Sequence, residues 1–395
     1  MLTDWPPLPI MIWEDNPSAC NGDNIIAALE HHNRVSGIQL RGVPSSLLEK
    51  LLATMQEPFP ALTHLGLETK DDIDDTAPVI PGSFLGGFAP DLRTLSLTRI
   101  PIPFPALRKL LLFTTNLVEL SLSKILLSEY FSPDAMVTCL SVLTRLEYLN
   151  FGFKFRRSRP YREKRRPPPR TRTLLPALRH LSFAGVSEYL EDLMARIDAP
   201  LLSNLDITFI HQLIFDTPQL AQFISRRQKD EAHNEAHVSF SDSHVHIWLP
   251  ESFGLGLELG ISCKQSDWQL SAVAQVCSSS FPQASIPTVE HLYIREDYSL
   301  EEGSSQPCHQ DDIENSQWLE LLHPFTAVKN LYLSQKLAPR IAPALQELVG
   351  ERVNEVLPAL QSIFWEELHP SGVVPEGIRQ FVKARTSHPI GVIPW

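Results

Sequence analysis

One short pattern, apolar-x-x-apolar-x-apolar, returns along almost the whole chain and restricts it to folds built by stacking like units. The copies are Leu62/Leu65/Leu67, Leu92/Leu95/Leu97, Leu117/Leu120/Leu122, Leu146/Leu149/Phe151, Leu178/Leu181/Phe183 and Leu202/Leu205/Ile207. They continue as Val289/Leu292/Ile294, Val328/Leu331/Leu333 and Leu360/Ile363/Trp365, with a weaker first copy at Val35/Ile38/Leu40. Successive starts are 27, 30, 25, 29, 32 and 24 residues apart, then 87, 39 and 32, so two divergent units are expected inside the interval of 87. The last two apolar residues of each copy are two apart, which on a strand puts both on one face. Two residues before the first apolar position, in nine of the ten copies, stands Pro (Pro60, Pro90, Pro176, Pro200, Pro287, Pro358) or Thr (Thr115, Thr144, Thr326). Proline has no amide hydrogen and is tolerated where a strand begins, so it is expected to mark the turn of each unit into the sheet.

Units of this length with this strand signature are leucine-rich repeats, one short strand followed by a helical return. The expected fold is therefore α/β: an irregular leucine-rich-repeat solenoid, a horseshoe with short parallel strands on its concave face and helices on its convex face. It is expected to run over 1–395, with an N-terminal capping segment at 1–34, a basic disordered insertion at 154–172, divergent repeats at 216–280 and a C-terminal cap at 367–395. Leu107/Leu110/Leu112 also fits the pattern, but it starts only ten residues before Leu117 and reads as a helical return starting at Pro105. Other returns show helix starts: a capping box at Ser46-Leu-Leu-Glu49, Ser132-Pro133, Thr217-Pro218 and Ser187.

Composition bounds the environment. A chain of 395 residues, 43% apolar and 20% charged, buries a large core. The five cysteines (Cys20, Cys139, Cys263, Cys277, Cys308) contain no Cys-x-x-Cys pair and suggest neither a disulfide framework nor a thiolate zinc site, which fits a reducing compartment. The start, Met1-Leu-Thr-Asp-Trp-Pro-Pro, does not read as a secretory signal, and the uncharged stretch Trp268 to Val289 is too rich in Ser, Gln and Pro to span a bilayer. A cytoplasmic or nuclear location is expected, with no membrane partner. The net charge of −12 argues against general affinity for nucleic acid.

Four segments carry a family resemblance: Asp4-Trp-Pro-Pro-Leu-Pro-Ile10, Gly22-Asp-Asn-Ile-Ile-Ala-Ala-Leu-Glu-His-His32, Ser266-Asp-Trp-Gln-Leu-Ser271, and Trp318-Leu-Glu-Leu-Leu-His-Pro-Phe325 with the Thr-Ala-Val-Lys-Asn-Leu-Tyr-Leu that follows. They resemble the expanded F-box and leucine-rich-repeat proteins of mushroom-type fungi. The resemblance implies that the repeats hold a protein to be ubiquitinated, while an F-box ahead of them docks on the Skp1-type adaptor of a cullin ubiquitin ligase. This chain opens on what resembles the segment after the F-box, so the adaptor-docking part is expected to be missing.

On each strand the residues alternating with the buried ones face the concave side. Their middle positions read Gln39, Gly66, Ser96, Ser121, Asn150, Ser182 and Asp206, and then Tyr293, Tyr332 and Phe364. If the last three strands are neighbours, those rings form one ladder, and aromatic anchors of this kind dominate protein interfaces. His291, Arg295, Asn330 and Glu366 are expected to supply its polar rim. The alternative is that the ladder is covered by the tail Gly391 to Trp395 or by the loop Ser299 to Asn315.

Lys154 to Arg172 holds ten Lys/Arg against one Glu, so the rest of the chain carries −12 − 9 = −21. Arg156, Arg157, Lys164, Arg165 and Arg166 lie in this exposed loop, which suits a nuclear-import signal or a handle for acidic partners better than it suits specific RNA recognition. His233, His237, His244 and His246 permit a metal site in principle, but no ligand spacing supports one. Asp71 to Asp75 lacks the Gly and terminal Glu of a calcium loop, and no nucleotide-binding or hydrolase signature occurs. The reading is a non-enzymatic module without cofactor or metal that binds a protein client on its concave face. The alternatives are a nuclear or RNA-associated scaffold addressed by the basic loop, and an enzyme hidden in 216–280.

Overall fold

A computed structural model of the chain describes residues 8–17, 19–70, 78–126, 132–154, 171–210, 217–226, 234–240, 244–250, 256–262, 286–296, 315–349, 352, 354–365, 374–385 and 391–394. The chain forms two compact units, Met1–Gly185 with Asp192–Ser203, and Val186–Glu191 with Asn204–Trp395.

The first unit contains β1 (Ile10–Asp15), α1 (Ala19–Leu29), β2 (Val35–Val43), α2 (Ser45–Thr54), β3 (His64–Thr69), β4 (Thr94–Thr98), α3 (Phe104–Phe113), β5 (Glu119–Leu126), α4 (Pro133–Leu140), β6 (Tyr148–Lys154), β7 (Thr173–Leu174), β8 (His180–Gly185) and β9 (Ile197–Asp198). Between β8 and β9 runs α5 (Ser187–Met194), whose residues 187–191 belong to the second unit. The strand order is β1-β2-β3-β4-β5-β6-β8, with parallel neighbours throughout and a separate β7–β9 pair. Like repeat positions pair with like: Leu65, Leu95, Leu120, Leu149 and Leu181 form one register line, and Leu67, Leu97, Leu122, Phe151 and Phe183 the next. All ten side chains are buried.

The second unit contains β10 (Asn204–Ile210), α6 (Pro218–Ser225), β11 (Glu235–Phe240), β12 (His244–Leu249), β13 (Gly256–Ser262), β14 (His291–Glu296), α7 (Asn315–Leu322), β15 (Asn330–Leu333), α8 (Ala338–Glu347), β16 (Ser362–Trp365), α9 (Glu376–Ala384) and β17 (Gly391–Pro394). Its order is β10-β13-β12-β11-β14-β15-β16-β17. Leu292, Leu331 and Ile363 share one register line and Ile294, Leu333 and Trp365 another, all buried. The helical returns pack on this buried side, as the Trp318 ring of α7 does against Phe240 of β11, 5.6 Å between centroids. The fold is an α/β solenoid of leucine-rich-repeat type. Among the described residues no helix is long and apolar enough to cross a membrane.

The expectation of parallel strands throughout is corrected in 216–280. β12 is antiparallel to both β11 and β13, and β13 runs parallel to β10. Parallel neighbours need a crossover of about a dozen residues or more. Only residues 241–243 join β11 to β12 and only 250–255 join β12 to β13, so both connections reverse the chain. Among the described residues the long interval thus holds two strands in the common direction, β11 and β13, with one reversed strand, β12, between them.

The repeated Pro and Thr also do something other than begin strands. Eight of the nine precede their strand by several residues and sit second in a four-residue turn closed by a backbone bond: Leu62 to Phe59, Leu92 to Ala89, Leu117 to Thr114, Leu146 to Leu143, Leu178 to Leu175, Leu202 to Ala199, Val289 to Ile286 and Leu360 to Leu357. The second position of such a turn needs φ near −60°, which the pyrrolidine ring supplies in advance. The first residue of every one of these turns is buried, a recurring position the sequence pattern did not show.

Helix starts follow the sequence unevenly. Ser132 Oγ accepts from Ala135 N at 3.3 Å, as its position before Pro133 implies. The expected capping box at Ser46 is absent, because α2 begins two residues earlier with Pro44 in the capping position and no side-chain cap. Thr217 does not cap α6 through its side chain either. The carboxylate of Glu191 takes that place, accepting from Gln219 N and Leu220 N, each at 2.8 Å.

Candidate functional site

Alternation along each strand leaves one side chain at the middle of the face opposite the core. In the first unit these are Trp13, Gln39, Gly66, Ser96, Ser121, Asn150 and Ser182, aligned by register. Beyond Trp13 they are small or polar. Asn150 Nδ2 donates to Ser121 Oγ (3.2 Å) and Ser123 Oγ (3.0 Å). The amide of Gln39 fills the space where a Cβ on Gly66 would stand.

In the second unit the same position reads, strand by strand, Asp206, Glu258, Trp248, His237, Tyr293, Tyr332, Phe364 and Ile393. Five consecutive members are rings in contact. Tyr332 stacks on Phe364 (4.4 Å, 11°) and on Tyr293 (4.2 Å, 12°), Tyr293 stacks on His237 (4.4 Å, 6°), and His237 meets Trp248 at 4.9 Å and 34°. The ladder expected from Tyr293, Tyr332 and Phe364 is present, lengthened by two rings at one end and by Ile393 at the other. Such contacts are worth about 0.5–1.5 kcal/mol per pair beyond burial.

Neighbouring groups fix the charge state of the row. Arg295 Nη2 lies 2.9 Å from His237 Nδ1, and its guanidinium carbon stands 5.6 Å from the centre of the Tyr293 ring. Arginine has only donors, so Nδ1 accepts and the imidazole proton resides on Nε2, 3.7 Å from Glu235 Oε2. Burial first, and the Arg295 charge second, hold the His237 pKa below its ordinary value against the opposing pull of Glu235. The Tyr293 phenol is pushed up to about 12, first by burial and then by Tyr332 and Glu235. Near neutral pH His237 and Tyr293 are therefore uncharged.

The expected rim residues are placed in part. His291 and Asn330 pair in the register line beside the rings, with Asn330 Nδ2 3.2 Å from His291 Nδ1, and Arg295 lies on the other flank. Glu366 lies outside the described residues, as do the basic-loop residues Arg156, Arg157, Lys164, Arg165 and Arg166. The tail does not lie across the rings: residues 391–394 form β17, paired in parallel with β16 at the end of the sheet, with Ile393 42% exposed. The alternative cover, Ser299 to Asn315, is outside the described residues but for Asn315, the first residue of α7.

Of the four histidines, His233 lies outside the described residues. His237 belongs to a strand, and His246 Nδ1 stands 3.5 Å from Glu258 Oε1. Among the described residues no three His, Cys, Asp or Glu side chains gather as a metal-capable group. Reading the repeat alone missed His237, Trp248 and Glu258, because their strands depart from its spacing. The signal was present as plain alternation: Ala236, Val238 and Phe240 are buried around His237, and Val245, Ile247 and Leu249 around Trp248.

The sequence matches no protein-family model, and no curated protein matches it. Among solved structures the chain is similar to the leucine-rich repeat-containing protein LegL7 from Legionella pneumophila, at 12% identity and a TM-score of 0.30, over 96% of this chain and 98% of that one. The assignment of the fold rests on the strand register and burial described above.

Proposed function

We propose that the chain is a non-enzymatic protein-binding repeat module whose grip is the aromatic row of the second unit. The observation that supports this reading is the run of five touching rings at the middle positions of adjacent strands. Stacking of repeats does not require rings there. The first unit pairs its strands with the same register over Gln, Gly, Ser and Asn. Rings with a polar rim are the composition of interface hot spots. Because the rings stack face to face, they present edges and phenolic hydroxyls outward. Ring faces for stacking nucleobases are thereby limited to the two ends of the row, which favours a protein client over RNA. The finer role, choosing the substrate of a cullin-type ubiquitin ligase, is carried by the family resemblance. The alternative of a nuclear scaffold is carried by the basic loop at 154–172.

The test is affinity capture from cells with the full chain and with a Tyr293→Ala/Tyr332→Ala variant of matched folding. The proposal expects a defined set of client proteins on the wild type that is lost on the variant. Identical sets on both would reject the aromatic row as the grip. A Skp1-type adaptor among the captured proteins would support the ligase role, and its absence would leave a separate recognition module.

A further inference from the structure

Arg295 flanks the row with no anion of its own. Its Nη2 donates to His237 Nδ1 at 2.9 Å and its guanidinium carbon stands 5.6 Å from the centre of the Tyr293 ring, so a long side chain is held from two sides. Both partners are neutral near pH 7, because the His237 pKa is lowered and that of Tyr293 is raised to about 12. Elsewhere in the second unit Lys329, Lys336, Arg352 and Arg379 each face a carboxylate, from Glu290, Glu296, Glu355 and Glu376. Arg295 has no such partner among the described residues. The carboxylate of this cluster, Glu235, lies near Nε2, on the other side of the imidazole.

The Arg295 side chain is exposed, and a guanidinium has five N–H donors, of which His237 takes one. Ser239 of β11, its register partner, adds a hydroxyl on the same face. Holding the guanidinium in place removes part of the side-chain entropy that an exposed arginine loses on pairing. The rings favour the same kind of visitor. Their edges look outward, and the edge of an aromatic ring carries the positive end of its quadrupole. The middle of the row thus presents donors and positive edges, the complement of a negative group.

We propose, building on the protein-binding reading above, that the client is recognised through one Asp or Glu side chain paired with Arg295, with apolar side chains before and after it lying along the ring edges. Arg295 adjoins Tyr293, third of the six row positions, with His237 and Trp248 to one side and Tyr332, Phe364 and Ile393 to the other. A segment crossing the strands therefore continues past Arg295 in both directions, which assigns the carboxylate to a side chain within the segment and not to a chain terminus. From β14 to β17 is three strand spacings, about 14 Å, or about four residues of extended peptide. A lone carboxylate fits better than an acidic run or a phosphate. The net charge of −12 opposes the approach of a strongly negative partner, and phosphate is held by clusters of arginine.

A random dodecapeptide library, fused through its C-terminus to a phage coat protein and selected on the full chain, tests this. Enriched peptides are expected to share one Asp or Glu with apolar residues within about four positions of it. The best of them, synthesised with both ends blocked, is expected to bind about tenfold more weakly when its acidic residue becomes Asn or Gln, and about tenfold more weakly to Arg295→Met. The two changes together should cost little more than either alone, since both remove one contact. The peptide-side change needs no variant protein, so it decides even if Arg295→Met fails to fold: unaltered binding would overturn the inference. Losses that multiply to about a hundredfold would place the carboxylate elsewhere and overturn it too. Enriched peptides that need Tyr332 but show no acidic preference would overturn this inference and leave the binding row standing. Peptides indifferent to Tyr332→Ala, or no enrichment at all, would overturn both.

Discussion

Between Tyr293 and Trp248 the imidazole of His237 has ring partners on both faces, a guanidinium on Nδ1 and a carboxylate near Nε2. Protonation at Nδ1 would turn that acceptor into a donor facing Arg295 and add a second positive charge to a half-buried cluster. The folded-state pKa lies below the unfolded value near 6.5, so the folded protein binds fewer protons through this group in the window beneath that value. Its contribution is complete above about pH 6.5 and is lost as the pH falls. The melting temperature of the wild type is therefore expected to drop more between pH 7.5 and 5.5 than that of His237→Phe, which keeps a ring and removes the titration. Equal slopes in a thermal unfolding series would show that the imidazole does not sense pH. The presence of His237 in a strand was readable from the alternation around it. Its pairing with Arg295, fifty-eight positions away, was not.

Helix ends separate local from distant information at the next scale. The Ser132 cap is written within four residues, because the hydroxyl meets the amide three positions on. The α6 cap comes from Glu191, twenty-eight residues before Gln219, which no local motif announces. Glu191 is 5% exposed, and its two oxygens satisfy two amides that the first turn of α6 leaves without helical partners. Replacement Glu191→Gln keeps the shape but turns an amide NH2 toward a backbone N–H. A loss of about 1–3 kcal/mol in urea unfolding is expected. A change within about 0.5 kcal/mol, the range of ordinary surface substitutions, would mean that the carboxylate is not the cap. The same distinction explains the recurring Pro. Its spacing was plain in the sequence, but its role became visible only when the turn bonds placed it second in each turn.

A stack of repeats is stabilised by each unit and its immediate neighbours, so its terminal strands have half the support of inner ones. In the first unit β1 has β2 as its strand partner, and in the second β17 has β16. Hydrogen exchange followed by mass spectrometry should therefore show β1 and β17 losing protection well before β4 and β15. Uniform protection would require support beyond the strand partners described. The amino-acid sequence by itself determined the repeat, the register and the buried face, because apolar spacing of two and a recurrent turn are local properties, read wherever the chain repeats them. It also placed Tyr293, Tyr332 and Phe364 on one face. The tertiary structure alone decided that β13 and the reversed strand β12 enter the sheet between β10 and β11, bringing Trp248 beside His237 and Glu258 beside Asp206. Those neighbours are made by pairing across long stretches of chain, and strand order in space is a property of the whole sheet that no local pattern encodes.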